Sequence, residues 1–264
     1  MKEILEYPRL KGETKDRKFV EALARGLDVL RAFGQKGGVL GNQDIAAITG
    51  LPKPTISRLT YTLTQLGYLT YSTRLEKYQL EAGVLALGNT YTASLRVRQV
   101  AKPYMDELAK RVEASVGLAT REGMSMIFVE WCRGDQAQAL RYEVGTRVAM
   151  ATSASGRAFL AAIPEQERSV FSGLIEERAG DDWPKISAGI DQAVTDYQEK
   201  GYVVSFGDWD RNVNSVAVPV RLQEDRIVVL TSGGPSYLTS PEQLEDTIAP
   251  QLIHMARDIV AAGV

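Results

Sequence analysis

Asn42 to Gly67, NQDIAAITGLPKPTISRLTYTLTQLG, leaves little freedom in what it can fold into. It reads as two short helices with a tight joint. Asn42 is placed to cap the first, its side-chain oxygen accepting from amides of the opening turn. Ile45 and Ile48 give that helix an apolar edge, and Gly50 closes it. Pro54 falls where an early helical residue loses nothing by lacking an amide hydrogen. Ile56, Leu59, Leu63 and Leu66 then recur at spacings of a single helical face, and Gly67 ends the run. The opposite face carries Ser57, Arg58, Tyr61 and Gln65, side chains suited to phosphates and base edges. This is the pattern of a helix-turn-helix whose second helix is offered to a major groove.

The next residues narrow the reading. Tyr68 to Tyr71 and Lys77 to Leu80 are β-prone runs flanking the polar stretch Ser72–Glu76, with Arg74 inside it. A hairpin placed directly after a recognition helix is a wing, whose tip reaches the DNA backbone or minor groove. Upstream, Phe19, Leu23, Leu27 and Leu30 share one face of a helix over 19–33 and are expected to pack behind the pair.

Charge divides the chain in the same sense. Residues 1–80 hold 13 basic and 8 acidic side chains, a net +5, and the remainder holds 18 and 25, a net −7. Basic excess therefore sits on the piece that would meet phosphate. A length of 264 residues suits two domains. No apolar run approaches the roughly 18 residues of a bilayer span, and the charged N-terminus lacks the apolar core of a signal peptide. A single cysteine, Cys132, forbids an internal disulfide and fits a reducing cytoplasm.

After the wing, a linker helix is expected, then a break at Pro103 and an amphipathic helix to about Glu113. The second half is richer in β-branched runs. Strands are expected over 115–122 and 124–132 with a turn at Gly123, then over 137–145, 201–206, 214–222 and 226–234. Helices are expected over 153–163, from Pro164, over 185–200 and from Ser240 to the C-terminus. The irregular alternation indicates an α+β fold with an antiparallel sheet.

From about residue 19 onward, the chain resembles the IclR-type transcriptional regulators, the isocitrate lyase regulator family. LPKPTISRLTYTLTQLGYLT is similar to that family's recognition helix and entry to the wing. YQLEAGVLALG is similar to its exit into the linker helix, and ATSASGRAFLA to its Ser/Ala-rich turn and helix. Gly201, Ser205, Ser215, Val216, Ala217 and Val220 hold their places in its C-terminal signature. Asp208 stands where the family usually has Glu, and Arg221 and Leu222 stand where it usually has an aromatic and an Asp or Asn.

The charged residues 1–18 read as a flexible arm; the resemblance implies a winged helix-turn-helix (19–82), a linker helix (83–98) and an effector-binding domain (99–264) built as a GAF-like antiparallel sheet with flanking helices. It implies double-stranded, palindromic promoter DNA as one partner, a small organic or aromatic acid as another, and a dimer or dimer of dimers, with no membrane. Expected DNA contacts are Asn42, Gln43, Thr55, Ser57, Arg58, Tyr61, Thr62, Gln65 and Arg74. Expected effector contacts are Ala154 and Ser155 at a helix start, Ser205, Asp208 and Ser215, and Thr231 and Gly233 on a late strand. Ala137, Leu140, Val148 and Met150 are expected to supply apolar wall, and Trp131 either wall or core. Asp208 would accept from a ligand hydroxyl or orient Arg141 or Arg211.

No cofactor, metal or catalytic group is expected. One histidine, His254, and one cysteine cannot form a His/Cys metal cluster. A Cys132–His254 nucleophile pair lacks a local signature, and His254 reads as a surface or interface residue. No phosphate loop, GxGxxG or GxSxG occurs. Two alternatives remain: a DNA-binding protein without effector, and a serine-dependent hydrolase.

Overall fold

The computed structural model describes residues 18–34, 38–134 and 142–264. Its contacts form two compact units, one ending at Ser94 and the other Leu95–Val264.

The first unit packs helices α1 (Glu21–Ala32), α2 (Asn42–Thr49) and α3 (Lys53–Gln65) against a small sheet. In it, β1 (Val39–Leu40) and β2 (Leu69–Ser72) flank β3 (Lys77–Leu80), all antiparallel. Val29, Ala32, Phe33, Leu40, Ile45, Ile56 and Leu69 form the core. Three expectations change here. The α1 stripe is turned outward: Phe19, Leu23 and Leu27 are exposed, while Val29, Ala32 and Phe33 face the core. The spacing was helical in both registers, and the set joined to α2 and α3 won. Leu66 is also exposed, because α3 ends there and buried Thr60 takes the place on its inner face, donating to Ile56 O at 2.9 Å. Finally, Gly41 rather than Asn42 caps α2, its amide donating to Asp44 Oδ2 at 3.0 Å. Asn42 has entered the first turn, so its side chain no longer reaches back over the free amides. Gly50, at φ 69, closes α2 as the sequence suggested.

Helix α4 (Ala82–Ser94) starts against the end of α3: Gly83 N donates to Gly67 O at 3.2 Å. A Cβ on Gly83 would lie 2.6 Å from that oxygen, so only glycine permits the approach.

In the second unit, α5 (Arg96–Val112) precedes a six-stranded antiparallel sheet. The strands are β4 (Ser115–Glu122), β5 (Ser125–Cys132), β6 (Arg147–Ala149), β7 (Val203–Phe206), β8 (Val213–Arg221) and β9 (Ile227–Pro235), in the order β6-β5-β4-β9-β8-β7. One face is covered by α5 and α9 (Ala249–Ala261) through a core that includes Met105, Leu118, Val218, Leu230 and Leu252. The other carries α6 (Ala154–Ala162), α7 (Glu165–Ala179) and α8 (Trp183–Lys200) over Met126, Phe128, Val203, Ala217 and Val229.

The break expected at Pro103 lies at Leu95, which takes an extended conformation between α4 and α5. Pro103 sits inside α5 on its exposed side, where water can replace the missing ladder bond. The strand expected over 137–145 lies partly outside the described residues; Tyr142–Gly145 is a turn, with Glu143 N donating to Thr146 Oγ1 and Gly145 at φ 92. Among the described residues, no helix is long and apolar enough to cross a membrane.

Candidate DNA interface and effector site

Each unit gathers one set of candidate residues. On α3, Ser57, Arg58, Tyr61, Thr62 and Gln65 are exposed and form a continuous stripe, about 12 Å along the axis at the usual helical rise. Ser57, Arg58, Tyr61 and Thr62 line a shallow open depression. Tyr61 is 66 % exposed, leaving its ring and hydroxyl open to a partner. The Thr62 hydroxyl donates to Arg58 O at 3.0 Å. Phosphate oxygens only accept, so in this rotamer Thr62 has nothing to give them. Gln43 is exposed on α2, Asn42 and Thr55 are half-buried, and Arg74 is exposed on the tip of the β2–β3 hairpin. The tip turns through Glu76 at φ 53, with Leu75 N donating to Ser72 Oγ. Lys53, exposed at the start of α3, belongs beside these residues and was overlooked; a basic side chain on an opening helical turn was its only signal.

The second set meets on the α6 side of the large sheet. Strand register places Ser205, Ser215, Gly233 and Ser115 in one row across β7, β8, β9 and β4. The next row is Val203, Ala217, Thr231, Gly117 and Trp131. The floor is therefore lined with small side chains. Part of its polarity is already committed: Ser205 donates to Thr152 O at 3.0 Å and Thr231 to Val216 O at 2.9 Å. The first of these bonds ties β7 to the turn that opens α6, where Ser153 caps the helix by accepting from Gly156 N. Ala154 and Ser155, both buried, form the first turn. Gly156 is obligatory, since a Cβ there would lie 2.2 Å from Met150 O. Val148 and Met150 are buried in the core between the sheet and α6. Leu140, Ala137 and Arg141 lie outside the described residues.

Asp208 does not orient Arg211 in this structure. It binds Arg157 of α6, Nη1 to Oδ2 at 2.7 Å, and Arg157 Nε also donates to Ala151 O. Arg157 is buried, so its charge requires this partner, and sequence alone could not foresee a pairing across 51 positions. The pair fastens the loop after β7 to α6.

An aromatic wall bounds the floor. The ring centroids of Phe128 and Trp131 lie 4.6 Å apart, of Trp131 and Tyr142 5.3 Å, and of Tyr142 and Trp209 5.6 Å. Burial pushes the Tyr142 phenol well above its usual range, and the Asp210 carboxylate adds to this. Phe128 and Trp131 are three residues apart and should point to opposite faces of a regular strand. The register shift between Leu118 and Ala119 leaves Val129 unmatched and turns both rings to one face. Gly117 lies beneath them: a Cβ there would meet Trp131 at 2.6 Å and Phe128 at 2.8 Å. Phe128, Tyr142, Trp209, Arg157 and Gly117 were all missed in the sequence, because a bulge and a loop bring them together.

Cys132 and His254 are not a nucleophile pair in form. Cys132 is buried against α5, whereas His254 is exposed on α9, 3.5 Å from Asp258.

Comparison with known proteins agrees with this layout. Residues 22–73 match the IclR helix-turn-helix domain, and residues 89–261 match the bacterial transcriptional regulator IclR C-terminal domain. The chain belongs to the IclR family of transcriptional regulators. It is similar to the HTH-type transcriptional regulator TsaQ1/TsaQ2 of Comamonas testosteroni, at 34 % identity over 92 % of this chain and 88 % of that protein. It is similar also to the Pca regulon regulatory protein of Pseudomonas putida, at 26 % identity over 95 % and 87 %. The crystal structure of an IclR family regulator from Brucella abortus superposes with a TM-score of 0.88 at 45 % identity, covering 95 % of each chain. A fold likeness extends to an IclR homolog of Microbacterium hydrocarbonoxydans complexed with 4-hydroxybenzoate, with a TM-score of 0.73 at 24 % identity over 91 % and 98 %. As an IclR regulator, the chain is a DNA-binding transcription factor with an N-terminal helix-turn-helix and a C-terminal antiparallel sheet domain.

Proposed function

We propose that this IclR regulator holds palindromic promoter DNA as a cytoplasmic homo-oligomer and releases or tightens it on binding a small organic or aromatic acid. Residues 19–82 are the DNA-binding part, with 1–18 as an arm. Residues 83–98 link it to an effector domain over 99–264. The α3 stripe meets the major groove, and Arg74 meets phosphate. The effector lies on the row Ser205–Ser215–Gly233 with Thr231 beneath it and the first turn of α6, Ala154 and Ser155, above.

The observation that carries this reading is the cross-strand register. Four candidate residues, Ser205, Ser215, Thr231 and Gly233, converge from three strands on one floor of small side chains. The opening amides of α6 suit a carboxylate, because a helix start favours negative charge. The homolog holding 4-hydroxybenzoate supports an acid of that size. Asp208, neutralised by Arg157, would not repel such a ligand. We assign no enzymatic role.

The test is a paired titration of promoter DNA by fluorescence anisotropy, with and without an acid identified by thermal shift. A ligand that binds only the native state must raise its melting temperature. It shifts DNA affinity only by its difference in affinity between the two states. Ser215→Leu should fill the floor and abolish the ratio between the two titrations. A Ser215→Leu protein that responds with wild-type effector affinity would put the pocket elsewhere.

A further inference from the structure

The outward face of α3 carries a narrow choice of chemical groups. The helix sequence, KPTISRLTYTLTQ, contains no carboxylate. Ser57, Arg58, Tyr61 and Thr62 line its shallow depression. The Thr62 hydroxyl is spent on Arg58 O, so the methyl of that side chain is the group left to meet a partner. An apolar spot, the exposed Tyr61 ring with the Thr62 methyl, therefore stands beside an exposed guanidinium. Tyr61 and Thr62 follow Arg58 by three and four residues, about 5 Å along the axis at the usual helical rise. Base pairs in a duplex are spaced about 3.4 Å apart, so the spot and the guanidinium meet pairs one or two steps apart. The net +5 of residues 1–80 draws this unit to any phosphate backbone but cannot choose a sequence.

Major-groove chemistry makes that choice. An arginine fork matches guanine O6 and N7. The cytosine amino group calls for a carboxylate, which α3 lacks. Adenine pairs with Asn or Gln, and Gln65 stands a full turn beyond Tyr61. Thymine presents a 5-methyl group, the apolar feature among the base edges of that groove. We infer that Tyr61 and Thr62 hold a thymine methyl, one or two base pairs from a guanine read by Arg58. This rests on the reading of α3 as the major-groove helix and adds the identity of the bases it selects. Tyr61 is then a specificity-determining residue: cytosine or uracil in the same place leaves its ring without a contact.

Full-length protein is first used to select a bound sequence from a random duplex library. In the selected duplex, each thymine is replaced singly by deoxyuridine, which lacks only the 5-methyl group, and each guanine by 7-deazaguanine, which lacks the N7 acceptor. Affinities are read by fluorescence anisotropy. The expected result is a thymine, one or two base pairs from a sensitive guanine, whose replacement by deoxyuridine weakens binding about three- to fivefold, the worth of one methyl group removed from water. In Tyr61→Ala the thymine and deoxyuridine duplexes should bind alike, whereas Tyr61→Phe, which keeps the ring, should still prefer thymine. Tyr61 is exposed, so neither substitution opens the core. If no thymine methyl matters, if the preference survives in Tyr61→Ala, or if no sensitive guanine lies beside that thymine, the assignment is overturned. The groove reading of α3 then stands as long as Arg58→Ala weakens the selected duplex more than a scrambled one. If the library yields no enriched sequence, or if Arg58→Ala, Tyr61→Ala and every base replacement leave affinity unchanged, the groove reading and the thymine assignment fall together.

Discussion

Two residues show how differently sequence exposes its meaning. Arg58 lies on the face of α3 opposite Ile56, and periodicity alone places it outward; the structure agrees. If it reads a base edge, Arg58→Ala should cost about 1–3 kcal/mol and relax preference at one base pair. Anisotropy titrations on the promoter site and on a scrambled duplex separate this from phosphate contact, which would weaken both alike. Gly117 is the opposite case. Nothing in SVGLATRE marks it, because its importance comes from rings fourteen and eleven residues away, brought to one face by the bulge at Val129. Gly117→Ala must displace Trp131 or Phe128, and overpacking of this kind costs typically about 1–3 kcal/mol. Urea denaturation should show a lower midpoint, and tryptophan emission should shift with it. A Gly117→Ala protein with wild-type midpoint and emission would mean that the rings yield freely.

Among the elements, local grammar was legible and choice of partner was not. The helix-turn-helix, its wing and the strands after residue 200 could be read because caps, glycines and β-branched runs act within a few residues. The buried face of α1 could not. Phe19, Leu23 and Leu27 make as good a stripe as Val29, Ala32 and Phe33, and only α2 and α3 decide between them. Pro103 misled for a related reason, since an exposed helix face tolerates the lost bond. Likewise the effector candidates Ser205, Ser215 and Thr231 were readable by resemblance, but the Arg157 partner of Asp208 was not. The packing of α5 on β5 has a testable pH consequence. Burial pushes the Cys132 thiol from its ordinary 9.0 to about 12, helped by its hydrogen bond to Asp106 and by that carboxylate's charge. Below pH 9 the thiol is neutral whether folded or not, and it contributes no pH dependence. Between pH 9 and 12 the unfolded chain gives up the proton and the folded chain keeps it, so stability falls as pH rises. Cys132→Val should therefore lose less melting temperature between pH 8 and 10.5 than wild type. Equal losses would show that the thiol does not titrate differently on unfolding. Native Cys132 should also resist iodoacetamide at pH 8, as a buried neutral thiol does.

Taken whole, the chain pairs a modest DNA contact with surfaces that a single copy leaves uncovered. A net +5 on residues 1–80 and one recognition helix give a half-site little affinity. Two copies on one palindrome multiply it through effective concentration. Helix α4 buries none of its residues within the chain: Leu85 is 64 % exposed, Leu87 60 % and Tyr91 48 %. In the same unit, α1 and the two residues before it leave Phe19, Val20, Leu23 and Leu27 open. Apolar area of this kind is costly in water and gains about 25 cal/mol for each Å² removed from it. We predict that a second copy covers these surfaces, the occupant that would also satisfy the DNA argument. Light scattering at micromolar concentration should give at least twice the 29.0 kDa of one chain. Leu85→Asp with Leu87→Asp should shift that mass toward one chain, because two carboxylates would be buried without partners. The same variant should lose at least tenfold in affinity for a palindrome, while its affinity for an isolated half-site stays near wild type. Equal losses on both duplexes would mean that the substitutions damage the DNA-binding fold itself. A wild-type monomer that binds the palindrome no better than its half would remove the need for a second copy.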